Sequence, residues 1–112
     1  MPIHIRLESG IAIIQPEGRI DANQVSEFAS SMKRSIRDVK GHVLVNFSKT
    51  EYISSSCLRE LIVAHKQATE QSKHLSICSP SPELQELFQV VHLQQSFEIY
   101  PSEFEALDAL MD

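Results

Sequence analysis

The feature that most constrains this chain is an apolar run that feeds a serine-led helix. His42 to Phe47 places Val43, Leu44 and Val45 in succession. A short run of that kind, rich in β-branched residues, reads as a buried strand. Glu51-Tyr52-Ile53-Ser54-Ser55-Ser56-Cys57-Leu58-Arg59-Glu60-Leu61 follows, and Leu58, Leu61, Ile62, His65 and Ala68 then recur near the 3.6-residue period of a helix. Three serines therefore stand where that helix begins. Unbonded backbone N–H groups and the positive end of the helix dipole meet there, a setting that suits a hydroxyl cap and equally a phosphate.

A strand delivering the chain into a helix predicts α/β layering, and the rest of the chain agrees. Ile3, Ile5 and Leu7 alternate with His4, Arg6 and Glu8, the period of a half-buried strand. Ser9-Gly10 is a turn, and Ile11 to Ile14 forms the antiparallel partner. Pro16 marks the end of that second strand as an edge or as irregular backbone. Gly18-Arg19-Ile20-Asp21 turns the chain into a helix with Asp21 as N-cap, Gln24 completing a capping box, and an apolar stripe of Val25, Phe28, Ala29, Met32 and Ile36. Gly41 follows the end of that helix, and a strand starts at about His42.

Beyond the serine helix, His74 to Cys78 reads as a fourth strand. Ser81 caps a third helix with Pro82 at its first position and a stripe of Leu84, Leu87, Phe88 and Val91. Phe97 and Ile99 indicate a short last strand. Ser102 and Glu105 form the capping box of a final helix with the stripe Phe104, Leu107, Leu110 and Met111. The order β-β-α-β-α-β-α-β-α implies one domain with a mixed, mostly parallel sheet, an opening β-hairpin and about four helices.

Composition removes several function classes. The formal net charge of the 112 residues is −5, which disfavours nucleic acid and anionic membrane as partners. No signal peptide and no apolar run of membrane-spanning length is seen, so the expected location is the cytoplasm. Cys57 and Cys78 form no C-x-x-C pair and are expected as free thiols. The histidines have no metal-ligand spacing, and no phosphate-cradling glycine motif occurs, so neither metal nor cofactor is expected.

Three stretches carry a family resemblance. Gly18-Arg19-Ile20-Asp21, the strand Val43 to Ser48, and Ile53-Ser54-Ser55-Ser56-Cys57-Leu58 together resemble the STAS domain family, above all the single-domain bacterial anti-sigma-factor antagonists. The resemblance runs from Ile3 to Leu110 and implies a STAS-like α/β domain without catalytic activity. It implies binding to a partner that is both anti-sigma factor and serine kinase, with phosphorylation of Ser55 as the switch and a phosphatase that reverses it. Asp21, Ser54, Ser56, Cys57 and Arg59 would then lie in the partner-binding surface, flanked by Ile62 to Ala64. Ser54, Asn46 and Cys57 stand where the family pattern has Asp, Asp and Gly.

Plainer readings stand beside these. One of the three serines caps the helix, Asp21 caps the preceding one, and Lys33, Arg34 and Arg37 form a solvated face. Two other functions fit the same residues: a STAS subunit of a transporter or signalling scaffold that binds without a phosphoswitch, and a thiol enzyme using Cys57 with His65 as base.

Overall fold

The structure, a computed structural model, describes residues 3–111. It opens with a tight hairpin. Strands β1 (Ile3–Glu8) and β2 (Ile11–Pro16) pair antiparallel from Ile3↔Pro16 to Glu8↔Ile11. Ser9 and Gly10 close it with φ of 52° and 82°, the left-handed pair of a type I′ turn, which matches the twist of the strands it joins. The second strand runs through Pro16 rather than breaking there. Its pairing with the next strand covers only Ala12 to Ile14, so the ring of Pro16 removes no bond on that side.

The remaining strands of the main sheet are β4 (His42–Asn46), β6 (His74–Cys78) and β7 (Ile99–Tyr100), all parallel, giving the order β1-β2-β4-β6-β7. Two further strands were not expected. β3 (Gly18–Ile20) and β5 (Thr50–Ile53) pair parallel as a small separate sheet, with Arg19 opposite Tyr52 and Ile20 opposite Ile53. Phe97 belongs to no strand. It is buried after a 3-10 turn over Leu93–Gln95.

Helices α1 (Val25–Asp38), α2 (Ser55–Glu70) and α3 (Pro82–Val90) pack on one face of the main sheet, and α4 (Glu103–Leu110) packs on the other. Alternation along the strands divides the core accordingly. Ala12, Ile14, Val43, Val45, Leu75 and Ile77 face the three helices, while Ile11, Ile13, Leu44 and Cys78 face α4 and its Ala106. Phe47 is the hub of the larger layer, its ring 6.4 Å from that of Phe28 and 6.0 Å from that of Phe88. Burial of each such ring contributes about 1.5–3 kcal/mol. At its carboxyl end α1 is held by Lys73, whose Nζ donates to the Ile36 carbonyl at 2.6 Å.

Several apolar stripes extend past what is covered. Ile5 and Leu7 are 45% and 70% exposed, because β1 is the outer strand and pairs on its far side with no strand among the described residues. In α2, Cys57, Leu61, Ala64 and Ala68 face the core, and Ile62 does not. Val91, Phe104 and Met111 are also exposed. Both cysteines are free and buried, and no helix among the described residues is long and apolar enough to cross a membrane.

Candidate functional site

The small β3–β5 sheet positions the site. From its end Ile20 and Ile53 emerge side by side, and the Ser54 N–H donates to the Ile20 carbonyl at 2.9 Å. Asp21 and Ser54 are therefore neighbours at adjoining strand ends, and α2 starts at this point. Asp21 does not cap α1 as expected. Its Oδ1 accepts from the Asn23 N–H at 3.0 Å, the chain makes one further turn, and the helix begins at Val25 after Gln24. Half of the expected box survives, since Gln24 Oε1 accepts from the Asp21 N–H at 3.3 Å.

The three serines separate into distinct roles. Ser54 is the N-cap: its backbone is extended, and its Oγ accepts from the Cys57 N–H at 3.1 Å. The Ser54 and Ser56 hydroxyls bond each other at 3.0 Å, and both residues are half-buried. Ser55, the first helical residue, is exposed, and its hydroxyl has no partner among the described residues. The first turn of α2 carries no acidic side chain. The serine hydroxyl that faces solvent is thus set beside the positive end of a 16-residue helix.

Beside Ser55 lies a groove of about 470 Å³ between the start of α2 and the length of α3. Ile53, Leu58, Leu84, Leu87 and Val91 supply its apolar lining, and Glu51 and Glu83 lie along it. Tyr52 joins them with the Arg19 guanidinium stacked 4.4 Å from its ring centre. The sequence offers no local sign of this groove, because Leu58 and Leu87 belong to helices separated by a strand. Val91 is the one hint: it continues the stripe of α3 one turn beyond what the core covers.

The other expected residues fall as follows. Arg59 is exposed on the first turns of α2. Ile62 and Val63 are 48% and 38% exposed, while Ala64 is buried. Cys57 has no exposed surface, so its side chain lies beneath the serine segment. Burial, with a smaller contribution from Glu60, pushes its thiol up to about 12, the reverse of what a nucleophile needs. His65 lies eight residues further along α2, about 12 Å of helix from the thiol, and its ring packs 4.3 Å from that of Phe97. Asn46 faces the opposite side of the sheet from α2. Its Nδ2 donates to Glu103 Oε1 and its Oδ1 accepts from the Ser48 N–H, each at 2.8 Å, and Glu103 also pairs with Arg6. Asn46 therefore ties β4 to α4.

The STAS domain family matches residues 3–106. This chain belongs to the STAS domain family. Its fold recurs in an anti-sigma-factor antagonist (STAS) domain protein of Planctomyces limnophilus, with TM-score 0.89, 24% identity, and 98% of each chain covered. An anti-sigma factor antagonist of Mycobacterium paratuberculosis superimposes with TM-score 0.90 at 17% identity, over 99% of this chain and 94% of that one. The phosphorylated form of the Bacillus cell fate determinant SpoIIAA gives TM-score 0.76 at 17% identity, over 97% and 99%. At these identities the likeness is one of fold.

Proposed function

We propose that this STAS domain is an anti-sigma-factor antagonist that binds a kinase-type anti-sigma factor through the Ser55 end of α2 and the adjoining groove, and that phosphorylation of Ser55 switches the binding off. The observation that carries this reading is the division of labour among the serines. Ser54 and Ser56 spend their hydroxyls on each other and on the cap, and Ser55 alone presents a free one to solvent. The existence of a phosphorylated form in a protein of the same fold supports it.

The physics of the switch follows from the surroundings. A phosphate on Ser55 adds roughly −1.5 to −2 charges. At a helix N-terminus that charge is tolerated, so the fold persists and the change acts on the surface. Glu51 and Glu83 line the neighbouring groove, so the modified surface carries concentrated negative charge where the unmodified one is apolar and only flanked by it. A partner fitted to the neutral hydroxyl would have to desolvate the phosphate, at a cost of several kcal/mol. Asp21, Ser54, Ser56 and Arg59 form the rim of this surface, and Cys57 is its buried support. A phosphatase acting on the exposed Ser55 resets the state.

The test is incubation with the cognate kinase-type anti-sigma factor and ATP, followed by mass-spectrometric mapping. Phosphate on Ser55, absent from Ser55→Ala, is the expected result. Phosphate on Ser54 or Ser56, or none at all, overturns the switch and leaves a STAS domain that binds its partner unmodified.

A further inference from the structure

The two edges of the main sheet are treated differently. The β7 edge is two residues long and runs directly into Pro101, the usual way of blunting an edge. The β1 edge is six residues long, unbroken in register, and contains neither Lys nor Pro. Its outer side pairs with no strand among the described residues.

The direction of its free backbone groups can be worked out. Ile3 lies opposite Pro16, which has no N–H, so this is a pair without mutual hydrogen bonds. At the other end the two-residue turn makes Glu8 and Ile11 the closing bonded pair. Alternation between these ends sends the N–H and C=O groups of His4, Arg6 and Glu8 toward β2 and those of Ile3, Ile5 and Leu7 outward. The same residues Ile5 and Leu7 carry the exposed apolar side chains.

We infer that this edge takes a second copy of the chain, pairing β1 antiparallel with β1 about a twofold axis at Arg6. In that register Ile5 of one protomer lies opposite Leu7 of the other and exchanges both outward hydrogen bonds with it, twice by symmetry. The four side chains form one apolar strip on the face that carries α1. On the other face His4 lies opposite Glu8, also twice, a pairing open to His4 once its ring leaves Glu17 of its own chain, 2.9 Å away. Arg6 meets its own copy at the axis, but each guanidinium is already held by Glu8 and Glu103 of its own chain. Moving the axis to Ile5 would set His4 against Arg6 instead, which lacks this complementarity. The contact rests on two apolar side chains per protomer and falls short of the ~1,200 Å² of a standard stable interface, so the dimer forms with rising concentration.

Sedimentation velocity over a concentration series tests this on the intact chain. The expected result is a mass that rises from that of one chain toward that of two. Leu7→Lys should weaken the association at least tenfold while leaving the circular dichroism unchanged. Leu7→Pro, which removes an outward N–H and none that bonds β2, should do the same. Cysteine placement reads the register: Arg6→Cys lies across the axis from itself and should oxidise to a disulfide-linked dimer at least tenfold faster than His4→Cys, with the native thiols buried. A monomer at every concentration, including one that binds a strand of some other protein, overturns the inference. So does a dimer indifferent to both Leu7 variants, or equal cross-linking at His4 and Arg6.

Discussion

Replacing the serines one at a time separates the cap from the surface. In Ser54→Ala the Cys57 N–H loses the hydroxyl that accepts its bond at 3.1 Å, and the Ser56 hydroxyl loses its partner. An N-cap serine is worth about 1 kcal/mol, in a range of roughly 0.5–2. For a chain of this length 1 kcal/mol moves the melting temperature by about 4 °C. Ser55→Ala removes an exposed hydroxyl without a partner, so its effect should stay within about 0.5 kcal/mol, the ordinary range of a surface change. Ser56→Ala should fall between them, since it breaks only the bond between hydroxyls. Ser54→Asp keeps the capping oxygen and adds a negative charge at the helix N-terminus, so it should match or exceed the parent in stability. The assay is reversible thermal and urea unfolding of the four variants and the parent. Equal destabilisation by Ser54→Ala and Ser55→Ala would refute the assignment of Ser54 as the cap, and with it the claim that the Ser55 hydroxyl is free.

Three further expectations follow. Asn46→Asp turns the donor that Glu103 accepts into a like charge in a buried position, so it should cost about 1–3 kcal/mol by urea unfolding, and Glu103→Gln should recover most of the loss. Cys57, with its thiol pushed up to about 12 by burial, should resist a disulfide reagent at pH 8 until the chain is unfolded. His42 and His65 both sit below the usual histidine range, His42 through burial and then the charge of the stacked His74, and His65 mainly through burial. The unfolded chain therefore binds more protons as pH falls through and below the ordinary value of 6.5, so stability present above that value is lost on acidification, and His42→Gln should reduce the slope of melting temperature against pH.

What could be read from the sequence was local, and what could not was set by distant neighbours. The opening hairpin follows from Ser9-Gly10 and its alternating flanks. The start of α2 follows from the serine run and the apolar period behind it. The stripes of α3 and α4 reached too far because periodicity reports that a face is apolar, and coverage depends on other elements: Phe104 and Met111 project past the sheet that buries Ala106. β1 has the alternation of a half-buried strand yet leaves Ile5 and Leu7 open, because it is an edge strand of the sheet. The strand β3 is not legible in the sequence because three residues beginning with Gly18 look like a turn. Only the parallel pairing with β5 gives them strand character, and it brings Asp21 next to Ser54. Asn46 illustrates the same limit within the site. It stands at a strand end a few residues before the serine segment, where the family pattern has Asp, yet strand parity turns it toward α4.

The most direct test of the central claim is the affinity of the unmodified and the Ser55-phosphorylated domain for the kinase-type anti-sigma factor, measured by titration calorimetry on fully phosphorylated material. A penalty of ~3 kcal/mol for desolvating the phosphate against a surface fitted to the hydroxyl corresponds to roughly a hundredfold weaker binding, and the account predicts a loss of that order with the fold retained. Equal affinity of the two forms, with phosphate verified on Ser55, would contradict it.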